Sequence, residues 1–298
     1  MQVRIANAPA SWGIEDPEDG ANPPWQDVLD QVAAAGYAGV ELGPLGYLPT
    51  DATALRPELA RRELELVAGF LFSPLHTREG VARALESARR VCGLLADAGG
   101  RYLVIIQGFT AEREAAAGRP DAAAALAEPE WRTMIEGVHA VARVASEDHG
   151  LTACFHPHAG TAVEFDFEIE QLILDTDPEL VSLCIDTGHC AYAGLDPVAL
   201  YAEHSARVAY LHLKDVSRAR LGAALASGLG FEEAVAHGVF CRLGEGVVDF
   251  AALRAALDEG GFAGWATVEQ DTLPTDSAAP GDDAAASLAH LRQVGLAA

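Results

Sequence analysis

The chain has 298 residues, with 20 Lys and Arg against 44 Asp and Glu for a formal charge of −24 at pH 7, and half of it is hydrophobic. That apolar content supports a large core and excludes wholesale disorder. The acid excess argues against nucleic acid and anionic membranes as partners, since both are recognised through clustered Lys and Arg.

No apolar run approaches the roughly 18 residues a membrane span needs. The start MQVRIANAPASWG lacks a basic segment followed by an apolar one, so no export signal is read there. The cysteines Cys92, Cys154, Cys184, Cys190 and Cys241 are odd in number and show no CxxC spacing. Neither a disulfide scaffold nor a cysteine zinc site is expected, and a reducing cytoplasm fits best.

Eight β-rich runs recur in chain order, most followed by an Ala/Leu-rich stretch with helical spacing. They are VRIANA from Val3, GVELG from Gly39, LELVAGFLF from Leu64, RYLVIIQG from Arg101, LTACFHPH from Leu151, VSLCIDTGH from Val181, RVAYLHLKD from Arg207 and GWATVEQD from Gly264. Helices are expected over WQDVLDQVAAAGY from Trp25 and FAALRAALDEGGF from Phe250, each closed by Gly. Eight β-then-α units predict an α/β fold, a closed (β/α)₈ TIM barrel, as one domain over residues 1–298. A doubly wound sheet is the rival, but no GxGxxG follows the first strand. The Ala-rich segment Ala111 to Glu130 reads as a loop and helix above strand 4 or a solvated insertion. Thr272 to Ser287 reads as a loop leading into a last helix.

The chemistry lies at the ends of strands 5 to 8. Alternation sets Leu151, Ala153 and Phe155 on one face of strand 5 and Thr152, Cys154, His156 and His158 on the other. Likewise Cys184 and Asp186 oppose Leu183 and Ile185, Tyr210, His212 and Lys214 oppose Leu211 and Leu213, and Glu269 and Asp271 oppose Val268. In a barrel the apolar faces meet the helices and the other faces point inward, with their C-terminal tips converging on one mouth. A lone strand-end His is commonly structural, and an Asp before Thr-Gly commonly forms a turn. Four strands delivering His156, Asp186, His212 and Glu269 together argue for a shared metal site. This N/O set suits Mn²⁺, Co²⁺, Fe²⁺ or Zn²⁺ rather than Ca²⁺.

Neighbouring groups are candidates for proton transfer and substrate contact. His189 follows Asp186 by three residues in DTGH. Lys214, in HLKD, is expected to carry a lowered pKa and act as acid or base, the alternative being a salt bridge at the rim. His158, Glu164 and Glu41 are read as substrate contacts. For Glu164 the alternative is a helix cap, and for Glu41 a buried structural carboxylate.

Taken together, ANAPASWGIEDPEDGANPPW, GYAGVELGPLGYLP, HPHAGTAVE, IDTGHCAYAGLDP, HLKDV, GVFCRLGEGVVDF and GWATVEQD resemble the inosose dehydratases, within the xylose isomerase-like barrel isomerases, epimerases and dehydratases. The similarity runs from about Asn7 to Asp271, interrupted by the Ala-rich insertion. The resemblance implies a divalent ion, Mn²⁺ or Co²⁺ first and Zn²⁺ after them, on Asp186, His212 and Glu269. In the epimerases the strand-5 ligand is Glu, and here that place is held by His156. It further implies a substrate contact at Arg218, a substrate carbonyl contact for His189, and a homo-oligomer. The expected activity is elimination of water from 2-keto-myo-inositol, or a similar cyclic polyhydroxy ketone, through an enediolate. His189 or Glu269 would serve as base and Lys214 as acid. The alternative is a metal-dependent ketose or inosose isomerase or epimerase at the same site.

Overall fold

A computed structural model describes residues 2–273 and 280–297. Each of the eight runs forms a strand, and all pair in parallel: β1 (Gln2–Asn7), β2 (Gly39–Val40), β3 (two pieces, Glu65–Leu66 and Ala68–Ser73), β4 (Tyr102–Gln107), β5 (Thr152–Phe155), β6 (Ser182–Asp186), β7 (Val208–Leu213) and β8 (Ala263–Val268). β2 pairs with the first piece of β3 and β4 with the second, so the two ends of the sheet belong to one strand. Val67 joins the pieces: its N–H donates to Val40 O at 3.0 Å, and its carbonyl accepts from the Tyr102 N–H at 3.2 Å. The sheet therefore closes into the expected barrel.

The face assignments hold. Ala153, Phe155, Leu183, Ile185, Leu211 and Leu213 are buried in the core shared with the surrounding helices, where each of the larger side chains contributes about 1.5–3 kcal/mol. Cys154, Cys184 and Tyr210 belong instead to a separate interior cluster with Ala6, Val104 and Trp265. Tyr210 stacks on Tyr102 there, with centroids 4.6 Å apart. This layer is the floor beneath the mouth.

The helix Trp25–Ala35 ends at Gly36, whose φ of 94° is left-handed, as the sequence suggested. Phe250–Glu259 likewise ends at glycine: Gly260 stays right-handed and Gly261 takes the left-handed φ of 67°. The Ala-rich segment holds a short helix, Ala111–Ala115, and the start of Glu128–Arg143. It is tied down rather than merely solvated: Arg113 is buried and donates to both oxygens of Glu168, at 2.6 and 2.9 Å. The last helix is Pro280–Gln293, and residues 274–279 of the expected loop before it lie outside the described residues. Among the described residues no helix is long and apolar enough to cross a membrane.

Candidate active site

His156, Asp186, His212 and Glu269 are all buried and gathered at the C-terminal ends of β5 to β8. His156 Nε2 lies 3.5 Å from Asp186 Oδ2, and His212 Nδ1 lies 3.8 Å from the same oxygen. His212 Nδ1 is also 3.2 Å from Glu269 Oε2.

Asp186 serves two ends at once. Its Oδ1 caps the helix Thr187–Tyr192, accepting from the N–H groups of Gly188 at 2.7 Å and His189 at 2.9 Å. The turn-forming role of an Asp before Thr-Gly is thus real, yet it occupies one oxygen only. The other, Oδ2, is buried without a hydrogen-bond partner, as is His212 Nδ1. Buried polar atoms left in this state cost free energy unless a further group satisfies them. Ligand atoms of His156, Asp186 and His212 lie within 4.8 Å of one another, and those of Glu41, His212 and Glu269 do likewise. With Asp186 Oδ2 and His212 Nδ1 orphaned, this N/O set fits a divalent first-row metal ion that His156, Asp186, His212 and Glu269 would hold.

Lys214 stands against this cluster. Its Nζ donates to both oxygens of Asp271 at 2.8 and 2.9 Å, and lies 3.3 Å from Asp186 Oδ2, 3.2 Å from Glu269 Oε2 and 3.1 Å from His189 Nε2. Gly188 makes room for it, since a Cβ there would stand 2.6 Å from Lys214 Cγ. Burial opposes the ammonium charge, but Asp186, Asp271 and Glu269 outweigh burial and hold the group well above its ordinary range. The expectation of a lowered pKa is therefore corrected, because three carboxylates in ion-pair range outweigh desolvation. The salt-bridge alternative describes the structure.

The surrounding charges follow from the same contacts. Burial pushes Asp186 up, yet the Lys214 ammonium above all holds it well below the usual carboxylate range. Glu269 comes down to about 2, because His212 and Lys214 overcome burial. His189 goes the other way: burial, then His158 and Lys214, keep it well below its ordinary range and hence neutral. Its Nδ1 accepts from the Ala159 N–H at 3.3 Å. His158 is half-buried with its ring 3.7 Å from that of His189, inside a wall that includes Phe72, Phe109 and Phe231.

Three residues read as substrate contacts sit elsewhere. Glu41 is buried behind His212, accepting from Tyr210 Oη at 2.6 Å and facing His212 Nε2 at 3.0 Å. Glu164 is buried among backbone donors, accepting from Gly118 N–H at 2.6 Å and Gly160 N–H at 3.0 Å, with Arg113 3.6 Å away. These bonds pin the Ala-rich segment to the loop after His158, so Glu164 anchors loops rather than a ligand. The helix that follows is capped instead by Glu168, which accepts from the Phe165 N–H at 3.0 Å. Arg218 is exposed at the start of the helix Arg218–Ser227 and makes no ion pair or hydrogen bond with the cluster among the described residues.

Two acids went unassigned in the sequence. Asp271 shares the inward face of Glu269, and alternation alone was a sufficient signal for it. Glu15, on the loop after β1, carries no pattern; it is exposed and faces the charges of Asp271 and Glu269. Asp215, next to Lys214, proves to be a loop anchor. Its carboxylate accepts from the N–H groups of Val216, Val247 and Val248 on Oδ1 and of Gly244 and Gly246 on Oδ2.

Residues 29–294 match the family described as xylose isomerase-like TIM barrel. The inosose dehydratase of Geobacillus kaustophilus (strain HTA426) is 34% identical over 274 residues, covering 91% of this chain and 88% of that one. Among solved structures, IolI with a bound zinc atom is 14% identical with a TM-score of 0.76, covering 98% of each chain. The D-allulose 3-epimerase from Methylomonas sp., in complex with D-allulose, is 17% identical with a TM-score of 0.72, covering 98% of this chain and 97% of that one. At such identities the two structures speak to the fold alone.

Proposed function

The chain belongs to the inosose dehydratase family of xylose isomerase-like TIM barrels, and on that footing we propose that it is a metal-dependent hydro-lyase removing water from 2-keto-myo-inositol or a similar cyclic polyhydroxy ketone. The observation that carries the reading is the convergence of His156, Asp186, His212 and Glu269 on one mouth, with Asp186 Oδ2 and His212 Nδ1 left without hydrogen bonds. His156, Asp186, His212 and Glu269 would hold a divalent ion there, Mn²⁺ or Co²⁺ before Zn²⁺, which would supply Lewis-acid polarisation of a ketone and acidify the adjacent hydrogen.

The protein's own groups supply the proton traffic. Glu269, kept ionised by His212 and Lys214, takes the α-hydrogen as a proton. His189, neutral with its Nδ1 accepting from the Ala159 N–H, carries hydrogen on Nε2 and donates it to the substrate carbonyl region. The C–H electron pair becomes the new C=C bond, and the β-carbon–oxygen bond breaks. Lys214 is cationic, so it acts as the acid: the C–O bond pair stays with the departing oxygen, which takes a proton from the ammonium and leaves as water, while Asp271 holds Lys214 in place. His158, against His189, lines the substrate side of the mouth.

Elimination is favoured over the isomerase or epimerase alternative by His156. The strand-5 group is an imidazole, so a symmetric exchange of protons between two ligand glutamates lacks one partner. The reading further takes residues 1–298 as a single barrel domain in a cytoplasmic homo-oligomer.

The test is to strip the protein with chelator, restore Mn²⁺ or Co²⁺, and incubate it with 2-keto-myo-inositol. Metal-dependent loss of one water, with a new ultraviolet-absorbing dione, is the expected result. A stereoisomer of unchanged mass would overturn dehydration in favour of isomerisation. Asp186→Asn is expected to abolish both metal retention and turnover.

A further inference from the structure

Glu41 is the inward-facing residue that follows β2. Gly39 and Glu41 share one face by alternation, and a Cβ on Gly39 would touch the Trp265 ring of the barrel interior at 2.9 Å. The Glu41 N–H continues the β2 ladder by donating to Asn7 O at 3.0 Å, so the backbone fixes where its side chain enters. Its carboxylate is buried beside the ligand atoms of His212 and Glu269 and meets two groups, the Tyr210 hydroxyl at 2.6 Å and His212 Nε2 at 3.0 Å, both on Oε1.

The direction of these bonds can be deduced. Tyr210 has one hydroxyl proton, and it goes to Glu41. The Thr267 hydroxyl, also in contact with the Tyr210 oxygen, must therefore donate to it. A carboxylate only accepts, so the His212 nitrogen facing it carries hydrogen at Nε2. The chain runs Thr267 to Tyr210 to Glu41 from one side and His212 to Glu41 from the other. In neutral His212 the lone pair is then left on Nδ1, the atom found without a hydrogen bond beside Asp186 Oδ2 and Glu269 Oε2.

We propose that Glu41, held by Tyr210 and Thr267, is a positioning residue that fixes the Nε2–H tautomer of His212 and so presents Nδ1 as the metal-binding atom. The proposal rests on the metal centre described above. Carboxylates behind a ligating imidazole orient the ring and raise its donor strength, and their loss typically lowers metal affinity by about 10- to 100-fold.

The experiment is Zn²⁺ binding by the whole chain, measured by competition with a chromophoric chelator, together with NMR of the His212 imidazole in the Zn²⁺-loaded protein. Wild type is expected to bind one Zn²⁺ per chain and to show a His212 Nε2–H resonance. Glu41→Gln, nearly isosteric, should keep that stoichiometry, lose about 10- to 100-fold in affinity, and shift the Nε2–H resonance upfield. Tyr210→Phe should move both readouts the same way by less, and it carries the test if Glu41→Gln does not fold. A purely structural role would lower the melting temperature of the metal-free protein and leave affinity and resonance unchanged. Glu41→Gln with affinity within twofold of wild type and an unmoved resonance overturns the proposal while the metal centre stands. Failure of wild type to bind Zn²⁺, or Asp186→Asn binding as tightly as wild type, overturns the metal centre and this proposal together.

Discussion

Asp215→Asn isolates the loop-anchoring role of the residue that follows Lys214. The wild-type carboxylate receives five backbone N–H groups, with Val216, Val247 and Val248 at 2.9 to 3.0 Å on Oδ1 and Gly244 and Gly246 at 2.9 and 3.0 Å on Oδ2. Asparagine can keep a carbonyl oxygen at the Oδ1 position, but its amide then points hydrogens at the Gly244 and Gly246 donors. Hydrogen bonds to a charged group contribute about 1.5–3 kcal/mol each, so losing two costs about 3–6 kcal/mol. Gly244 and Gly246 are exposed, and their N–H groups can turn to water, which sets the expectation near 3 kcal/mol. That is a large part of a typical domain stability of about 5–15 kcal/mol. The assay is urea denaturation, where a lower midpoint at unchanged m-value is expected, with faster hydrogen exchange at Gly244 and Gly246. Gly246→Ala should act through the same contact, since its Cβ would meet Asp215 Oδ1 at 2.2 Å. A loss under about 1 kcal/mol in Asp215→Asn, or unchanged exchange at the two glycines, would refute the anchoring argument.

Three further outcomes are expected. Gly188→Ala places a Cβ 2.6 to 3.0 Å from Lys214 Cγ, Cβ and Cδ, the inner part of a stem whose far end is tied to carboxylates. Displacing the ammonium by about an ångström should lower kcat about 100-fold, read from steady-state turnover. Glu164 has its carboxyl raised from 4.5 to about 7, chiefly by burial. Between those values the folded chain keeps a proton that the unfolded chain has lost, so stability should fall as pH rises through that window, by up to about 3 kcal/mol. Glu164→Gln should flatten the slope of urea midpoint against pH between 4.5 and 7, and an unchanged slope would count against that assignment. Restoring metal to the stripped protein at about 100 times its Kd should stabilise it by about 2.7 kcal/mol. Calorimetry reads that shift, and Asp186→Asn should remove it.

Much of the site was legible because it is periodic. Alternation along β5 to β8 separates His156, Asp186, His212 and Glu269 from the aliphatic faces, and barrel closure sends equivalent tips to one end. The same period carried Asp271, which needed only one more step along β8. Glu41 also obeys it, and its inward face was readable. Which inward neighbour it meets was not, because Tyr210 and His212 arrive from a strand 169 and 171 residues away.

The sequence by itself determined the eight strands, the inward and outward faces, the helix stops at Gly36 and near Gly260, and the family, since each depends on local spacing or on motif identity. Only the tertiary structure decided what each charged group does. Lys214 is a cation because three carboxylates from β6 and the end of β8 crowd its Nζ, and Glu164 is an anchor because Gly118 and Gly160 happen to converge on it. A side chain's protonation and role depend on the summed field and hydrogen bonds of groups remote in sequence, and those distances exist only after the barrel has closed.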